Sequence, residues 1–178
     1  MSNIPAFVTD CDQNNKAGLA AFLHLACRKC VATIPAPDAD SLIVSTDMTL
    51  RAADGAATPP VVAGAFVKYE VSTDYAKNTF ATETGGDDDT IFFTTTYTGF
   101  IPGNAPDIIH SINVASGRCG VIAVVKTEND DQRILGDLNR GAKVRMAEAI
   151  NGETAGVTIT ITYRSTTPPL FYTGAIPS

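Results

Sequence analysis

The stretch GGDDDTIFFTTTYTGF, Gly85–Phe100, decides how this chain is read. In it Ile91, Phe93, Thr95 and Tyr97 alternate with Phe92, Thr94, Thr96 and Thr98, the period of two of a strand with unlike faces. The glycines and aspartates ahead of it supply a turn, because glycine accepts positive φ and aspartate bonds its own backbone. Upstream, AFVKYEVS (65–72) sets Val67, Tyr69 and Val71 against Phe66, Lys68, Glu70 and Ser72, and TFATET (79–84) continues in the same style. The expected unit is a long hairpin, apolar on one side and hydroxylated on the other.

Working outward, NAPDIIHSINVASG (104–117) reads as the one helix. Asn104 caps it, Pro106 suits the first turn, Asp107 faces the positive dipole end and Gly117 closes it. Ile108, Ile109, Ile112 and Ala115 form its apolar stripe. GLAAFLHLACRKCV (18–31) fits either a helical stripe or a buried strand. CGVIAVVKTEND, QRILGDL, AKVRMAEAI and GVTITITYRS follow as strands, the last alternating Val157, Ile159, Ile161 and Tyr163 with Thr158, Thr160 and Thr162. A short strand is expected near Leu42–Ser45. The sum is a mainly β chain, an antiparallel sandwich or open barrel with one packed helix and a long hairpin. It forms one domain over 1–178, with an N-terminal arm (about 1–16), a long loop (about 36–63) and an extended tail (about 166–178).

Chemistry is hard to find. No phosphate loop, HExxH or GxSxG occurs, and neither His24 nor His110 neighbours a nucleophile. Cys27 and Cys30 have CxxC spacing, but Cys11 and Cys119 stand alone, so reduced thiols are preferred to a zinc or redox site. Asp87–Asp89 lacks the spaced ligands of a calcium loop, and a solvated turn is the simpler account. No apolar run is long enough to cross a bilayer, and no signal peptide is read at the N-terminus, so synthesis in the cytoplasm is expected. No cofactor, metal or catalytic site is expected. Net charge is −6, which argues against a protein that grips phosphates. Residues 61–100 hold six acidic and two basic side chains, while 101–178 balance at seven and seven, so the acidity gathers around the threonine-rich ribbon.

In order and pattern these pieces resemble the major tail tube proteins of long-tailed bacteriophages, of the small type found in phages of Bacteroidetes-like hosts. DCDQNNKAGLAAFLHLA looks like that group's arm and first strand. FVKYEVSTDYAKNTFATETGGDDDTIFFTTTYTGF looks like its central hairpin. DIIHSINVASGRCGVIAVVKTENDDQRILGD and GVTITITYRSTTPPLFYTG are similar to its helix–strand–strand unit and C-terminal segment.

The resemblance implies a virion protein without a catalytic site. Six subunits would form a ring, rings would stack into a tube, and hairpins from all six would close a β-barrel around a lumen. DNA would pass through without specific binding, and partners would be further copies and other tail proteins (tape measure, terminator, baseplate or distal tail), with no membrane. A threonine wall with excess carboxylates would repel the DNA backbone. Lys68, Glu70, Ser72, Thr94, Thr96 and Thr98 are the expected lumen-facing set. Val67, Tyr69, Val71, Ile91, Phe93 and Tyr97 would pack on the sandwich. Phe7, Phe171 and Tyr172 are expected at contacts between subunits or rings. Phe92 falls in the polar phase and does not fit a wet wall. The alternatives are another ring- or tube-forming β subunit (secretion tube, pilus or capsid decoration) and a monomeric ligand-binding β-sandwich.

Overall fold

The computed structural model describes residues 19–39, 41–54, 56, 64–72, 77–87, 90–103, 105–117, 120–127, 131–150 and 155–177. In chain order the strands are β1 (Leu19–Cys27), β2 (Val31–Thr33), β3 (Ile43–Val44), β4 (Thr49–Leu50), β5 (Val67–Glu70), β6 (Thr79–Asp87) and β7 (Thr90–Pro102). Helix α1 (Pro106–Ala115) follows, then β8 (Val121–Thr127), β9 (Gln132–Leu135), β10 (Lys143–Ile150), β11 (Ala155–Ser165) and β12 (Leu170–Tyr172). Six strands form one sheet in the order β3-β12-β9-β8-β1-β5, four form a second in the order β10-β11-β7-β6, and β2 pairs with β4 alone. The chain is a mainly antiparallel β fold with one helix, as its alternating pattern predicts.

The two larger sheets pack face to face. Leu23, Leu25, Tyr69, Ala123, Val125 and Leu135 of the six-stranded sheet meet Tyr97, Ile101, Val157, Ile159 and Ile161 of the four-stranded one. Side chains buried this fully each contribute roughly 1.5–3 kcal/mol. Ile112 of α1 is buried in the same core, with Ile108, Ile109 and Ala115 packed against it. The helix begins after Ala105, which makes no side-chain cap, and Asn104 lies outside the described residues. At its other end the Ser116 N–H donates to the Ile112 carbonyl at 2.8 Å and the Gly117 N–H to the Val114 carbonyl at 3.2 Å.

The apolar run of β8 is explained by a second core. Its Ile122 and Val124 point away from the sandwich and pack with Ala26, Val31, Val44, Met48, Ile134 and Tyr172. A strand covered on both faces reads as a continuous apolar run. The 36–63 loop is therefore partly structured, since β3 and β4 lie within it and help cover the six-stranded sheet. The C-terminal segment contributes β12 to that sheet, parallel to β3 and antiparallel to β9.

The central hairpin differs from the expected one. β6 and β7 pair from Thr79↔Thr98 to Asp87↔Thr90, but β5 leaves for the six-stranded sheet, where it pairs with β1. Buried Asn78 holds the two sheets together at this point. Its amide donates to the Ser72 carbonyl and its oxygen accepts the Phe100 N–H, while the Ser72 N–H donates to the Phe100 carbonyl at 2.7 Å. At the opposite edge the Val121↔Ala142 bridge joins β8 to the residue before β10. The sandwich is thus stitched on both sides.

Candidate functional site

The outer face of the four-stranded sheet carries the hydroxyls. Across β7 and β11, Thr98 is opposite Thr160 and Thr96 opposite Thr162, and Thr158 extends the row. β6 adds Thr79 opposite Thr98. Alternation puts the partners of these residues inward, where Thr95 is buried with its Oγ1 3.0 Å from that of Thr82. The result is a two-dimensional array of half-exposed threonines on adjacent strands.

Two phenylalanine rings bound this array. Phe92 lies over Gly85, where an added Cβ would come within 2.6 Å of the ring, and the Arg164 guanidinium sits 3.4 Å above the ring centroid. Phe100 lies over Gly156 and carries Lys77 at 5.0 Å from its centroid. A ring laid on a strand glycine fills the gap left by the missing side chain, and a cation over its other face is held by the ring quadrupole. Phe92 therefore fits the polar phase in correct register, with its apolar surface covered from below and above.

Charge on this face is sorted by strand. β6 presents Glu83 and Asp87 on the threonine side, while β10 presents Lys143 and Arg145 and β11 presents Arg164. The face is therefore mixed in sign among the described residues, where an excess of carboxylates is expected from the sequence. The acidity of residues 61–100 is dispersed by the fold: Glu70 is on the other sheet, and Asp74, Asp88 and Asp89 lie outside the described residues. Both edges of the sheet end in long strands, β6 with nine residues and β10 with eight.

The six residues expected to line one wall occupy three places. Thr94, Thr96 and Thr98 are on the threonine face. Lys68 and Glu70 are on the outer face of the opposite sheet, beside His24 and Phe22, with the Lys68 ammonium 3.5 Å from the Phe22 centroid. Ser72 is at the joint between sheets. Of the apolar set, Tyr69, Val71 and Tyr97 are buried, whereas Val67 and Ile91 are exposed. Phe7 lies outside the described residues. Tyr172 is committed within the chain: its hydroxyl donates to the Ala175 carbonyl at 2.5 Å and accepts the Met48 N–H at 3.1 Å. Phe171 is half-buried under the Arg133 guanidinium, 3.2 Å from its centroid. The sequence-based reading missed Thr158, Thr160 and Thr162 as part of the array. The signal was present, since TTTYT and TITIT share one spacing.

No family model, characterised protein or solved structure matches the chain. Among the described residues no group of three or more histidine, cysteine or acidic side chains could hold a metal, and no helix is long and apolar enough to cross a membrane.

Two titratable groups lie off the array. The Asp137 carboxylate accepts the Asn139 and Arg140 N–H groups at 2.6 and 2.5 Å and the Tyr163 hydroxyl at 2.7 Å. Burial alone would raise the Asp137 carboxyl, but these bonds and the Arg140 charge outweigh it and hold it below the ordinary range. On the other sheet, burial lowers His24, and Lys68 and Lys126 lower it further. Its imidazole is favoured in the neutral form.

Proposed function

We propose that this chain is a structural subunit that closes into a hollow ring, and that rings stack into a tube conducting DNA, as in phage tails. The observation that carries this reading is the four-stranded sheet, with a hydroxyl-covered outer face between two long edges of opposite charge. In a ring every copy keeps its strands in the same sense relative to the axis. Antiparallel order within the sheet then brings β6 of one copy beside an oppositely running β10 of the next, so the sheet continues around the ring. Closure removes the exposed edges that would otherwise template aggregation. At the seam Glu83 comes beside Lys143 and Arg145 of the neighbour, which offsets charge on both edges. A bore lined by threonines with scattered, partly paired charge offers DNA no basic track, so few counterions are released on contact and the strand slides.

Negative-stain microscopy over a concentration series, with mass measured by size-exclusion light scattering, tests the proposal. Hollow rings or tubes of constant bore are expected. Glu83→Lys should abolish them and a second change, Arg145→Glu, should restore them. A monomer at every concentration overturns the ring and favours a binding module.

A further inference from the structure

Val114, Ile91 and Val67 are the three most exposed large apolar side chains among the described residues, at 66%, 58% and 46%. Two of them line one groove. A cavity of about 480 Å³ runs between α1 and β5, walled by Ala26, Cys27, Ala65, Val67, Val114 and Ala115. β5 ends its sheet, so its outer backbone edge faces the same space. The third residue, Ile91, is at the far end of the molecule. β7 runs from Thr90 at the hairpin tip to Pro102, a length of about 40 Å at 3.3 Å per residue, and α1 begins four residues later at Pro106. The groove therefore belongs to the end of the sandwich where β7 passes into α1, and Ile91 to the opposite end.

Charge follows the same division. Asp87 flanks Ile91 on the tip. Exposed Lys29 adjoins Cys30 of the groove wall. A protruding apolar side chain that complements a pocket elsewhere on the same molecule makes a head-to-tail contact that does not close on itself and grows a filament.

We infer that the β6–β7 tip of one copy seats Ile91 in the α1–β5 groove of a second copy, and that this is the axial contact between stacked rings. The inference rests on the ring-and-tube reading above, but it uses surfaces separate from the β6–β10 seam. Rings and stacking are therefore separable by mutation. Ile91 and Val114 are exposed, so changing them leaves the core intact.

The groove supplies its own probe, because Cys27 in its wall is half-buried and in no disulfide among the described residues, with Cys30 beside it. Ile91→Cys assembled at high concentration and treated with diamide should give a ladder of linked chains on non-reducing gels. Peptide mapping should join position 91 to Cys27 or Cys30, and the unmodified protein should lack that link. Ile91→Asp should stop assembly at single rings. Tubes of unchanged length in Ile91→Asp, or tubes of Ile91→Cys that yield no such link, overturn the axial contact and leave the ring intact. Absence of both rings and tubes in the unmodified protein overturns the reading beneath it.

Discussion

Tyr97→Phe should stabilise this protein, against the usual effect of a change in a core. Tyr97 is fully buried, and its hydroxyl has no hydrogen-bond partner. It lies over the Gly99 Cα, where a side chain would stand, beside the Val71 methyl group, and neither apolar group can accept its proton. A buried hydroxyl without a partner costs about 1–3 kcal/mol relative to water, while the void left by one oxygen costs a fraction of that. A net gain of about 1–2 kcal/mol is expected, raising Tm by roughly 2–8 °C for a chain of this size. Tyr172→Phe is the control with the opposite sign. It deletes the bond to Ala175 and orphans the buried Met48 N–H, for a loss of about 1–3 kcal/mol. Both are read by urea and thermal unfolding at dilutions that keep the chain monomeric, since assembly adds its own stabilisation. Burial also pushes the Tyr97 phenol well above its ordinary value, as it does Tyr163, so Tyr97→Phe should remove one of the late-titrating phenols from an ultraviolet titration of the folded state. A loss of 1 kcal/mol or more in Tyr97→Phe would refute the reasoning and place an unseen partner on that hydroxyl.

Gly85→Val should loosen the hairpin tip, because its side chain meets the Phe92 ring at a site where an added Cβ already comes within 2.6 Å; faster amide exchange in β6 with little change in the core checks this. Asp137 is depressed in the folded state, so its stabilisation is complete above the ordinary value of 3.8 and is lost as pH falls through the folded value. Tyr163→Phe should shrink that acid-limb loss in unfolding measured from pH 5 to 2. His24 is also depressed, so stability should fall as pH drops below the ordinary 6.5, and His24→Gln should flatten that slope. If the seam charges guide closure, ring formation followed by light scattering should slow as salt rises from 0.05 to 0.5 M, taken here as a roughly threefold shortening of the screening length.

Much of the fold was legible because period-two patterning fixes which face of a strand is buried. Tyr97, Ile159 and Ile161 face inward as their alternation requires. Alternation does not name a partner strand, and that is why β5, with the same pattern as β6, was joined to the wrong sheet. Its place is set by Asn78 and by pairing with β1, contacts between residues far apart in the chain. The short β2 and β4 lie among prolines and turn residues and leave no periodic trace. Phe92 looked like an exception because sequence shows neither the glycine beneath a ring nor the cation above it. The threonine array was half visible: each strand showed its own row, and only the register of β7 against β11 makes one surface of them.

Free sheet edges are hazardous, and proteins commonly block them with charge. Here the charges do more than block, because they differ in sign between edges. On the threonine face β6 carries only carboxylates and β10 only cations. A two-fold pairing centred on β6 would set Glu83 against its own copy, whereas β6 against β10 sets it near Lys143. Repulsion in the wrong complexes contributes to specificity as much as attraction in the right one. Under the ring proposal, such an arrangement disfavours a two-fold dimer through β6 and favours head-to-tail addition, which ends when the ring closes. The segregation of charge by strand then has a physical role that a monomer with a merely solvated face would not require.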